Sequence, residues 1–226
     1  MKAFHFITQD LRAKDDLMLG ISTPWRIGET RTYKPFCYDF GDGDTLWQRG
    51  YESSPTLWEA FLNCDGPLAC LVDVSEPVHS EIDGHGERNF SLTRKLIALR
   101  DLSTDLRHFA VSCAEDAIYR ASPDHAKDRE VRNILQSVRL QFANGASSSR
   151  YENIFHAGMD LAFRHRGLRG CALCVAAAAG YPEAQDAALL VLEMAVDLTR
   201  IAELDERAER GFHRTSFNQK FASSFQ

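Results

Sequence analysis

A chain of 226 residues, 44% of them hydrophobic, is long enough to bury a sizeable core in one large domain or two small ones. Its formal net charge of −6 argues against a protein whose main work is coating nucleic acid, which needs clustered Lys and Arg. No apolar run approaches the roughly 20 residues of a spanning helix, MKAFHFITQDLR lacks the apolar core of a signal peptide, and the six cysteines lack disulfide-framework spacing, so free thiols, no membrane partner and a cytoplasmic address are expected.

Residues 1–103 read as a strand-rich domain with one helix. KAFHFI alternates, PLACLVDV is a continuous buried-type run, and GDGD at 41–44 is a turn signal. Ser54-Pro55 supplies an N-cap and a first-turn proline. Leu57, Ala60, Phe61 and Cys64 then recur at helical spacing until Asp65-Gly66-Pro67 stops them.

Residues 104–211 change to the helical period and read as about five helices, which makes the whole chain α+β. Leu106, Phe109, Ala110, Cys113, Ala114 and Ala117 form the first stripe. Ser122-Pro123 opens the second helix, with Val131, Ile134, Leu135, Val138 and Phe142 on its apolar face and Asn144-Gly145 at its end. Ser147–Ser149 caps a third, CALCVAAAAG supplies a tightly packing fourth, and Pro182 opens the longest, which Gly211 terminates. Residues 212–226 lose the period and read as a tail. Its Phe212, Phe217, Phe221 and Phe225 are candidate anchors for a groove on a partner or on a second copy of the chain, or else cover for the chain's own body.

Two motifs invite a chemical reading. In PVHSEIDGHGER, His79, Glu81, Asp83, His85 and Glu87 alternate, as ligands along one strand face would. A hairpin turning at Asp83-Gly84 instead pairs Glu81 with Gly86 and His79 with Arg88, dividing the set between faces, so no metal is expected. In Cys171-Ala-Leu-Cys174 the thiols lie three apart beside four alanines, a packing surface rather than a redox pair. Phosphate-loop, nucleophile-elbow and His-Glu-x-x-His signatures do not occur.

GYESSPTLWEAF followed by DGPLACLVDVS resembles an uncharacterised family of small proteins carried mostly in phage and prophage genomes. The matching residues are Met1 to Phe4, Gly50, Tyr51, Ser54, Pro55, Ala60, Gly66, Pro67, Val72, Val74 and Ser75. Glu52 stands where members often have His, and the family carries no activity to transfer. More distantly, Gly-Tyr-x-Ser-Ser, a helix and an apolar strand look like the middle of an ADP-ribosyltransferase-type fold. That resemblance implies NAD as cofactor and makes His5, Tyr51 or Ser54, and Glu81 the catalytic candidates, a carboxylate there stabilising an oxocarbenium-like transition state. Two readings therefore stand. One is a phage- or prophage-type accessory protein that binds a host or phage protein without a cofactor, alone or as a homodimer; the other is an NAD-dependent ADP-ribosyltransferase-like enzyme.

Overall fold

The structure is a computed structural model that describes residues 1–13, 21, 23–33, 37–39, 45–47, 50–84, 86–143, 147–221 and 223–225. Its strands are β1 (Lys2–Ile7), β2 (Thr30–Thr32), β3 (Cys37–Asp39), β4 (Thr45–Trp47), β5 (Tyr51–Ser53), β6 (Leu68–Val74), β7 (Pro77–Asp83), β8 (Gly86–Ser91) and β9 (Thr93–Asp101), with α1 (Leu57–Leu62) between β5 and β6. There follow α2 (Ser103–Ala121), a short 3-10 turn (His125–Lys127), α3 (Arg129–Ala143), α4 (Ser148–Ala162), α5 (Gly167–Ala178), α6 (Ala184–Ile201) and α7 (Glu206–Phe221). The fold is α+β. It divides into a strand-rich unit, Met1–Leu102 with Ser223–Gln226, and a helical unit, Ser103–Ala222. Among the described residues no helix is long and apolar enough to cross a membrane.

Among the described residues of the strand-rich unit all pairing is antiparallel, in a four-stranded sheet β1-β6-β9-β2, a three-stranded sheet β5-β8-β7 and a ribbon β3-β4. One face of the larger sheet buries Ala3, Ile7, Leu68, Cys70, Val72, Val74 and Leu96 under Trp25, Tyr33 and Tyr51. Phe6 points to the other face, where its ring lies 6.1 Å from that of Phe61 on α1. The cap of α1 is Thr56 rather than Ser54: the Glu59 amide donates to Thr56 Oγ1 at 3.2 Å, and that hydroxyl donates to Glu59 Oε2 at 2.6 Å. Ser54 is left to do something else. Its amide donates to the Phe4 carbonyl and its carbonyl accepts from the Phe4 amide, both at 2.8 Å, which bridges the two sheets.

In the helical unit the expected long helix from Pro182 to Gly211 is two helices. Residues 202–205 break it: Glu203 takes φ +58, the Leu204 amide donates back to Thr199, and Asp205 Oδ1 accepts from the Arg207 amide at 2.8 Å to open α7. Gly211 then lies inside α7. The expected tail is helical through Phe221, because Glu209, His213, Phe217 and Phe221 recur every four residues and are all buried. Phe217 and Phe221 pack on Phe109 of α2 at 5.4 and 6.0 Å. Beside them Arg120 of α2 grips Glu209 with two hydrogen bonds of 2.6 and 3.0 Å, and His213 Nε2 lies 2.8 Å from the same carboxylate. Burial pushes the Glu209 carboxyl up, but the hydrogen bonds from His213 and Arg120 outweigh it and hold the group below its usual range. Phe217→Ala should lower the unfolding free energy by roughly 3–5 kcal/mol, as aromatic-to-alanine changes in packed cores do. Chemical denaturation measures it, and an unchanged midpoint would mean that the C-terminal turns of α7 carry no core.

Candidate functional site

The site forms where β1, β5, β9 and β2 bring polar groups onto the buried face of the larger sheet. A bulge between Leu71 and Val72 shifts the β6-β9 register, so that Val72 faces Leu96 and Val74 faces Arg94. Arg94 thereby turns inward and is 1% exposed. Arg31 of β2 is its direct antiparallel partner and is 8% exposed. Like charges facing each other across strands repel, and the neighbours answer that repulsion. The Arg31 guanidinium lies 4.2 Å from the Trp25 ring centroid, pairs with Glu29 at 2.8 Å, and donates to the Thr23 and Pro24 carbonyls at 2.9 and 3.0 Å. The Arg94 guanidinium lies 5.0 Å from Trp25 and 4.5 Å from Tyr51, and donates to the Glu52 carbonyl at 3.0 Å.

Tyr51 is fully buried, edge-on to Trp25 at 5.9 Å and to Tyr33 at 5.6 Å. The glycine before it has a steric reason. Gly50 takes φ +113, and a Cβ there would stand 2.7 Å from the Ser91 carbonyl oxygen.

His5 sits opposite Cys70 on the same buried face, and its Nε2 makes no hydrogen bond among the described residues. Burial, aided by the nearby Arg94 charge, holds its pKa well below 6.5, so the imidazole is neutral. Burial pushes the Cys70 thiol up to about 12, which removes it as a nucleophile at neutral pH. His5, Cys70, Trp25 and Arg94 wall a cavity of about 10 Å³ with Ile7, Val72 and Leu96, room for one water-sized guest.

Of the residues singled out in the sequence, His5 and Tyr51 both lie against Arg94, His5 across the small cavity and Tyr51 with its ring 4.5 Å from the guanidinium, whereas Ser54 pairs with Phe4, whose side chain alternates to the face away from His5. Glu81 does not join them. It lies on β7, two strands from β5, where Arg88 holds its carboxylate at 3.2 Å and His79 approaches it at 3.4 Å. The hairpin turns one residue later than expected, with Asp83 opposite Gly86 and Glu81 opposite Arg88. Arg88 fixes that register by pairing also with Asp83 at 2.8 Å. Glu87, opposite Ile82, remains on the other face from Glu81; His85 lies outside the described residues. Among the described residues no three His, Cys, Asp or Glu side chains converge as a metal site would require.

Cys171 and Cys174 sit in α5, with pKa values raised by burial. Of the four tail phenylalanines, Phe217 and Phe221 are core, Phe212 is 40% exposed beneath the Arg120 guanidinium, and Phe225 lies 5.8 Å from Phe4 in the strand-rich unit. Phe217 and Phe221 are therefore not available to a partner. Sequence reasoning missed Trp25, Arg31 and Arg94. An arginine two residues before Leu96 was the available signal, since i and i+2 share a strand face.

No family model matches the chain, and neither does any curated protein or solved structure.

The neutral buried His5 gives folding a pH dependence. Its imidazole binds a proton in the unfolded chain near 6.5 and in the folded chain only well below that, so stability falls as pH drops below about 6.5 and is flat above. His5→Gln should flatten that limb of the urea-midpoint profile between pH 7 and 5. The same slope in the variant would assign it to other groups.

Proposed function

We propose that the strand-rich unit is an NAD-binding module of a phage- or prophage-type protein. The observation that carries the NAD reading is the grouping of His5, Tyr51 and Trp25 around the two buried guanidinium groups of Arg31 and Arg94. Of the residues that the ADP-ribosyltransferase resemblance names for its first two positions, His5 and Tyr51 share this place. The chemistry suits a dinucleotide. Guanidinium forks take pyrophosphate oxygens, aromatic rings take a base plane, and a neutral imidazole with a free ring nitrogen takes a ribose hydroxyl. The cavity beside His5 is the size of one water, so the ligand requires Trp25 to move off the arginines.

The role is binding without a transfer step: the carboxylate expected at Glu81 is engaged with Arg88 on the outer strand. Capture of a host or phage protein, the other reading, loses Phe217 and Phe221 as anchors and keeps the helical surface.

Isothermal titration of the protein with NAD should give saturable heat. His5→Ala and Arg31→Gln should each weaken it at least tenfold while near-ultraviolet circular dichroism stays native. No heat with the unaltered protein, or unchanged affinity in both variants, would refute the proposal.

A further inference from the structure

The helical unit holds a second place built for a ligand. Between α2 and α3, capped by the 3-10 turn, runs an open groove of about 550 Å³, within the ~300–1,000 Å³ range of ligand sites. Arg129, Arg132 and Gln136 form one wall at helical spacing, with Asn133 beside them, and Asp116 and Tyr119 line the other. All six are exposed, Tyr119 by 63%. The groove's third arginine, Arg139, is occupied by Glu115 on α2. The guanidinium groups of Arg129 and Arg132 make no hydrogen bond or ion pair among the described residues.

We infer that this groove docks a short acidic peptide segment of a partner protein. Two unengaged guanidinium groups one turn apart match two carboxylates. Asn133 and Gln136 offer both donors and acceptors to a peptide backbone, and the exposed Tyr119 ring offers an apolar face. From Arg129 to Gln136 the wall runs about 10 Å, the span of about three extended residues. A nucleic acid fits less well. Its continuous run of phosphates asks for more cations than two unengaged arginines beside Asp116 supply, whereas a peptide segment can set two carboxylates on those arginines and donate a backbone N–H to Asp116. The inference is independent of the NAD reading, which concerns other residues in the other unit.

The test is fluorescence anisotropy with a fluorescein-labelled nonapeptide of alternating glutamate and leucine, at low and at physiological salt. Saturable binding is expected, at least tenfold weaker for the Arg129→Ala/Arg132→Ala double variant and for a peptide with glutamine in place of glutamate. A Glu152→Ala variant, on an exposed face of α4 away from the groove, should bind as the unaltered protein does. Lack of saturable binding, equal binding of the glutamine peptide, or unchanged affinity in the double variant would overturn the inference. So would tighter binding of a single-stranded oligonucleotide that the double variant abolishes.

Discussion

Two arginines buried face to face across adjacent antiparallel strands set the terms for the strand-rich unit. Removing a charge from water costs several kcal/mol unless other groups replace its hydration, and Arg31 and Arg94 also repel each other. The surrounding chain supplies the replacement: Glu29, the carbonyls of Thr23, Pro24 and Glu52, and the faces of Trp25 and Tyr51. The Glu52 carbonyl belongs to β5, so Arg94 helps fasten the second sheet to the first, in company with the Phe4–Ser54 bridge. The same positive charge, added to burial, keeps His5 neutral. Structure and chemistry at this place thus share one cause.

The helical unit solves a different problem with simpler means. Its buried faces are stripes of alanine, leucine, valine and phenylalanine, and its polar anchors are few. Arg120, Glu209 and His213 clamp α7 beside Phe109, while Arg107, also over the Tyr151 ring, donates to the Tyr181 and Pro182 carbonyls at the turn before α6. Burial lowers the Arg107 pKa to about 10, still leaving it charged at neutral pH.

Much of the fold was legible in periodicity. The α2 stripe from Leu106 to Ala117, the buried run of β6 and the helix after Ser54-Pro55 all lie where the pattern placed them. What failed were places where a local rule met a competing contact. Ser54 looked like a cap, but Thr56 two residues on could form the reciprocal box with Glu59, freeing Ser54 for the bridge. Gly211 looked like a terminator, yet the Asp205 cap and the four-residue spacing from Glu209 to Phe221 outweigh one glycine's helix cost of about 1 kcal/mol. The hairpin slipped by one residue because Arg88 reaches both Glu81 and Asp83. Of the site, His5 and Tyr51 were readable from the sequence. Arg94 was hidden because an arginine within a strand reads by default as solvated, although its two-residue spacing from Leu96 was the cue, and Arg31 because TRT is too short to show a period.

If the paired arginines and their aromatic cover are the ligand site, binding must be felt at those side chains. The most direct measurement is a nitrogen-15 correlated magnetic resonance titration with NAD that follows the guanidinium Nε–H groups of Arg31 and Arg94 and the indole N–H of Trp25, assigned by single substitution. Saturable shifts of all three, with the Trp25 signal moving as its ring leaves the arginines, are the expected result. Shifts confined to other residues, or none at ligand concentrations that saturate known dinucleotide sites, would contradict the claim and leave the two arginines as a structural device alone.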